Sequence, residues 1–329
     1  MGPQRMDSSS QRNKDPFQRV PMEEAGLSYP EVFNAKSDSY GIQLYGYNEI
    51  PSFLKGNPYV VGGYRAYLPT ALCVKSLCVL SNETVNIWSH LLGFVLFFIL
   101  GVYDNLVTIP AVHGTYNDHL IYTVFLACFQ FCMLCSAGYH LLCCHVSERV
   151  ARRWLSLDLA GISVGVMGCY FPGVYYAYYC NLFWRDLYLL LVTVLVAVTL
   201  VMQLHPHFLS AAWAGRRLAL FSALVAYGVC PAVHWIFISG GWHQPMVQTF
   251  ILQVIVFYFI GSIGFLFWFT QMPEKCLPGK VDYVGHSHQW WHLIVVAAFY
   301  WWHQSGLSLM QHRLQHPCHG LETRLQPDL

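Results

Sequence analysis

Apolar residues gather along this chain into runs of about 20, the length an α-helix needs to cross a hydrocarbon core about 30 Å thick at about 1.5 Å per residue. The runs cover residues 85–108, 119–143, 157–179, 184–204, 217–238, 247–271 and 289–310. The first six are uniform. The last is interrupted: its wholly apolar part, Leu293 to Trp302, has His and Gln at both ends. A segment that spans despite histidines turns them away from lipid. Ahead of the runs, residues 1–45 are rich in Ser, Gln, Pro and charge, a composition that predicts disorder. Residues 46–84 mix Pro51, Pro58 and Pro69 with aromatic and apolar residues, and predict a membrane-proximal segment with a short surface helix. Residues 311–329 read as a tail. The pattern predicts an all-α membrane protein, a seven-transmembrane helix bundle over residues 85–310.

Composition agrees. Of 329 residues, 55% are hydrophobic and 11% charged, against roughly 25% charged in soluble domains. A net charge of +1 gives no reason to expect a nucleic-acid partner. The placement of the 18 basic residues says more. Fifteen fall in the N-terminal segment and the second-to-third, fourth-to-fifth and sixth-to-seventh loops, leaving only Arg185, Arg313 and Arg324 on the other side. The positive-inside rule then makes the N-terminus cytoplasmic and the C-terminus lumenal or extracellular, inverted relative to G-protein-coupled receptors. No secretory signal is read in residues 1–40, and Met6 breaks the myristoylation pattern. The sequon Asn82-Glu-Thr84 falls on the cytoplasmic side and is expected to be unmodified. Ser81 or Asn82 reads instead as a helix N-cap.

The 12 cysteines sit mostly in apolar runs and predict no disulfide framework. Cys132 and Cys135 read as packing residues. Cys143 and Cys144, where a helix leaves the bilayer, are open to palmitoylation or to packing. Gly161 and Gly165 predict a close helix crossing, and Pro172 and Pro231 predict kinks.

The chemistry concentrates at one depth. His288 and His292, four residues apart, share a helix face and can grip one metal. His140 near the end of the second run, and Asp158 opening the third, share their level. Three imidazoles leave a fourth tetrahedral position, the donor set of a zinc site. Asp158 is then the candidate catalytic, water-positioning residue, with Ser136, one turn before His140, in support. The bland alternative is that the imidazoles only hydrogen-bond between helices. His90 is the rival ligand. His303 lies about 16 Å along the helix from His292, too far to share its metal. His234 reads as a packing residue, and His145, His286, His205 and His207 as solvated.

Ser136-x-x-x-His140, Asp158 and His288-x-x-x-His292, with the runs Gly63 to Pro69 and Ser81 to Gly93, resemble the progestin and adipoQ receptor family over about residues 60–310. The resemblance implies an inverted seven-helix fold and Zn²⁺ held by three histidines. For its Golgi-resident, Raf-tethering branch it implies a cytosolic N-terminal segment that binds Raf kinase and lowers MEK and ERK signalling. A zinc-dependent lipid amide hydrolase acting on a substrate such as ceramide, and a receptor for a lumenal or extracellular ligand, are the alternatives. Membrane lipids are expected neighbours in each case.

Overall fold

The computed structural model describes residues 41–316 and Cys318; most of the tail and, of the segment 1–45 expected to be disordered, residues 1–40 lie outside the described residues, whereas Ile42 is buried and Leu44–Tyr45 form a strand because they pair with residues 64–65. A short antiparallel pair, β1 (Leu44–Tyr45) and β2 (Tyr64–Arg65), sets Leu44 opposite Arg65 and Tyr45 opposite Tyr64. Helix α1 (Thr70–Lys75) follows. Seven long helices come next: α2 (Thr84–Ala111), α3 (Tyr116–Leu142), α4 (Glu148–Ala177), α5 (Leu182–Leu204), α6 (Ala214–Ile238), α7 (Pro245–Thr270) and α8 (Ser287–Gln315). Helices α2 to α7 are long and apolar enough to cross a membrane. The 29 residues of α8 reach about 43 Å, yet its His and Gln keep it outside that set of six.

Helices α2 to α6 each pack against the next, α6 meets α7 through Trp235 on Phe250, and α8 packs against α2, α4 and α7. Small residues set the closest approach. A Cβ on Gly161 would stand 3.1 Å from Cys135 Cβ, and one on Gly168 would stand 2.7 Å from Cys128 Cβ. The α3–α4 crossing thus uses buried cysteines as packing residues, as their apolar setting predicts. Phe129 of α3 stacks on Phe299 of α8 at 3.8 Å between centroids, inside an aromatic core with Phe97, Phe125 and Trp302.

Several expectations change. Helix α4 begins at Glu148, nine residues before the apolar run, and its polar first turns carry an i,i+4 ion pair between Glu148 and Arg152 at 2.6 Å. Asp158 is therefore about three turns inside α4 rather than at its start. The α2 N-cap is Glu83, not Ser81 or Asn82; Ser81 instead exchanges hydrogen bonds with Thr84 and Glu83. Helix α4 continues through Pro172, and α6 is interrupted at Tyr227–Gly228, as expected of Pro231, which has no N–H for the Tyr227 carbonyl. Cysteine packing is not the whole account either: Cys180, after α4, is disulfide-bonded to Cys318, after α8. A pairing across 138 residues leaves no local spacing to read.

Candidate metal centre

The site is built at the end of the molecule where α2, α4 and α8 begin and α3 ends. Residues before α2 and between α7 and α8 fold over this end and fix its geometry. Asp282 accepts from the Val61 and Gly62 amides at 3.1 and 2.8 Å. Glu274 accepts from Asn57, from the Ser287 amide at 2.7 Å and from the Ser287 hydroxyl. The Asn82 carbonyl accepts from Gln289 at 3.1 Å and meets His286 Nε2 at 2.9 Å. The first turn of α8 is thereby tied to the residues that lead into α2. Buried Arg65 on β2 donates to Ser76 and, at 2.7 Å, to the His140 carbonyl, capping the end of α3.

His286 and His145, expected in solvent, are buried by this cap. Thr70 and the Ser147 amide hold His145. Cys143 and Cys144 are buried as well, the Cys144 thiol lying 3.7 Å from that of Cys73. Packing rather than lipidation explains both.

Beneath the cap, His140, His288 and His292 each bring a ring nitrogen to a cluster whose three atoms all lie within 4.8 Å of one another. The Nε2 atoms of His140 and His288 are 3.3 Å apart. Tetrahedral zinc with bonds of about 2.0–2.1 Å separates its ligand nitrogens by about 3.3–3.4 Å, so the donor set fits. His292 Nδ1 is buried without a partner. Asp158 approaches from α4, beside Ser136 and within electrostatic reach of His140.

Glu83 is the residue of this cluster that spacing alone missed. Its Oε2 accepts from His140 Nδ1 at 2.7 Å, so the His140 tautomer leaves Nε2 bare toward the cluster. Asn86 donates to the same oxygen at 2.7 Å. Burial pushes the Glu83 carboxyl up, but the adjacent His140 and the Asn86 amide outweigh it and hold the group below the usual carboxylate range. The signal was present: Glu83, Asn86 and His90 follow i, i+3, i+7 and mark one polar face on an apolar helix.

The remaining histidines separate cleanly. His303 pairs with Asp104 at 2.5 Å, eleven residues further along α8 than His292 and with a partner of its own. Asp104 opens a π-helical stretch just ahead of Pro110, where the helix ladder loses a donor. His234 packs between Tyr188 and Tyr178 hydroxyls at 3.0 and 3.3 Å, the packing role its position predicts. His205 and His207 are exposed.

Residues 78–303 match the family model for haemolysin-III related proteins. The chain is 51% identical over 278 residues to progestin and adipoQ receptor family member 3 of Homo sapiens and of Mus musculus, covering 84% of this chain and 89% of each relative. It belongs to the progestin and adipoQ receptor family. The adiponectin receptor protein of Drosophila melanogaster is 31% identical over 265 residues, which span 80% of this chain and 59% of that receptor. Family membership and six apolar helices make the chain a multi-pass membrane protein. The stretch matched to the family model contains Glu83, His90, Ser136, His140, Asp158, His288 and His292.

Proposed function

We propose that this family member is a Golgi membrane scaffold whose three-histidine centre holds zinc and whose cytoplasmic N-terminal region tethers Raf kinase, lowering MEK and ERK signalling. On this reading all seven long helices span, with the N-terminus in the cytoplasm and the C-terminus in the lumen. The observation that carries it is the 51% identity to progestin and adipoQ receptor family member 3 across most of both chains. The cap supports it physically, because residues 44–82 are hydrogen-bonded to the start of α8 and so offer the cytoplasm a surface fixed to the metal centre. Zinc, when bound, supplies a clamp between α3 and α8 and a Lewis-acidic open position. Co-precipitation of Raf with the full chain is expected, with loss of Raf on deletion of residues 1–80. Full retention by the deletion variant would sink the tethering role. Metal analysis of purified protein should give one zinc per chain, and none in His288→Ala.

A second reading, a hydrolase of lipid amides, is favoured by one observation. An apolar cavity of about 130 Å³ lies among α4, α6, α7 and α8, lined by Val166, Tyr170, Trp235, Phe257, Phe299 and Trp302. Phe299 is seven residues, about 10 Å along the helix, from His292. An acyl chain in that cavity would bring its amide toward Asp158, which Ser136 orients to accept a proton from attacking water. Release of fatty acid from a ceramide by the zinc-loaded chain, abolished in Asp158→Asn with zinc retained, is the expected result. No turnover by that sample would leave the scaffold alone.

A further inference from the structure

Besides His286 at the cap of α8, four imidazoles crowd its start, and one of them, His90, is unexplained by packing. His90 projects from α2 against His292, with ring centroids 4.0 Å apart and planes inclined by 34°. It is 3% exposed, and neither of its ring nitrogens makes a well-formed hydrogen bond, the His292 backbone giving only a weak contact. An imidazole always carries an N–H to donate, so burying it unpaired is unfavourable, and an apolar side chain would fill the same volume without that penalty. Its neighbours on the buried face of α2, Ile87, Gly93 and Phe97, are of that apolar or small kind. His90 is also outside the group whose ligand atoms lie within 4.8 Å of one another, which places it one layer out from the metal position.

We propose that His90 is an outer-layer positioning residue of the metal centre. Its ring N–H donates to an oxygen of the exogenous ligand, a carboxylate or an amide carbonyl, that takes the open side of the His140, His288 and His292 cluster. The inference rests on the zinc reading of that cluster. It assigns the two polar flanks of the open side different tasks: Asp158 with Ser136 offers an acceptor, and His90 offers a donor. A carbonyl-type oxygen is the ligand atom that a neutral donor beside a Lewis acid selects.

The test uses the full-length chain in lipid nanodiscs with cobalt replacing zinc, so that the visible bands report the metal's surroundings, and acetate as the probe. His90→Leu is expected to keep one metal per chain and unchanged bands before acetate is added, and to weaken acetate binding about tenfold, the scale of one hydrogen bond in a dry site. His90→Gln, which keeps a donor, should lose less than about threefold. Unchanged acetate affinity in His90→Leu overturns the proposal. So does loss of metal or altered bands before acetate in both variants, since that makes His90 a direct ligand. No acetate response in the metal-loaded, unmodified chain overturns it too. An unmodified chain that takes up no metal removes the zinc reading itself, a failure distinct from these.

Discussion

At the scale of single residues, the strength of the centre depends on what stands behind the ligands. Glu83 orients His140 through one 2.7 Å hydrogen bond and is itself held by Asn86. Carboxylates behind ligating histidines commonly contribute about 10–100-fold in metal affinity. Glu83→Ala should therefore weaken zinc binding by at least about tenfold in competition with a chromophoric chelator. Glu83→Gln, which can still accept from Nδ1, should weaken it less. Equal affinity in all three proteins would remove Glu83 from the site. The three-histidine cluster was legible because i,i+4 spacing and helix depth are one-dimensional quantities, which is why His140, His288 and His292 could be grouped from sequence and His303 set aside. His145 and His286 were misread for the opposite reason. Their burial comes from residues 44–82 and 271–286 folding back over the helix ends, partnerships such as Asn82 with His286 that span 204 positions.

At the scale of elements, apolar run length located all seven long helices, but it marked where lipid compatibility ends rather than where hydrogen bonding ends. The early start of α4 at Glu148 is a helical extension in polar sequence, invisible to a hydropathy window. Glycine was legible as a packing device, and the structure now says which glycines matter. Gly168→Ala puts a Cβ 2.7 Å from Cys128 Cβ and 3.2 Å from the Phe125 carbonyl, so α3 and α4 must separate. A loss of about 1–3 kcal/mol is expected. Gly261 in α7 has nothing within 4 Å of an added Cβ, so Gly261→Ala should be neutral or stabilising by up to about 1 kcal/mol through helix propensity alone. Thermal unfolding in one detergent compares the two. Equal destabilisation by both would mean that the α3–α4 crossing is looser than the glycine spacing requires.

At the scale of the whole molecule, two independent signs distinguish its ends. The capped end carries Lys55, Arg65, Lys75, Arg149, Arg152 and Arg153, and free cysteines at positions 73, 78, 143, 144 and 276. The other end carries the Cys180–Cys318 disulfide and, among the described residues, only Arg185 and Arg313. Arg313 is spoken for locally, since it donates to the Tyr176 and Ala177 carbonyls at 2.9 and 3.0 Å and caps α4. Disulfides persist in oxidising compartments, and basic loops stay in the cytoplasm. Charge and redox chemistry therefore agree on the proposed inverted orientation, although neither was used to derive the other. A short Gly/Ser-flanked sequon inserted between Gly240 and Gly241, in the turn from α6 to α7, should acquire a glycan in cells. The same insert at Gly279, between α7 and α8, should not. Asn82 should stay bare in either case, being 3% exposed. The reverse pattern of glycans would overturn the orientation and, with it, the cytoplasmic surface on which tethering depends. The disulfide gives a second measurement on the same point: Cys318→Ser should lower stability by about 2–4 kcal/mol in protein made with an oxidising lumen, and a reductant added to the unmodified protein should reproduce that loss.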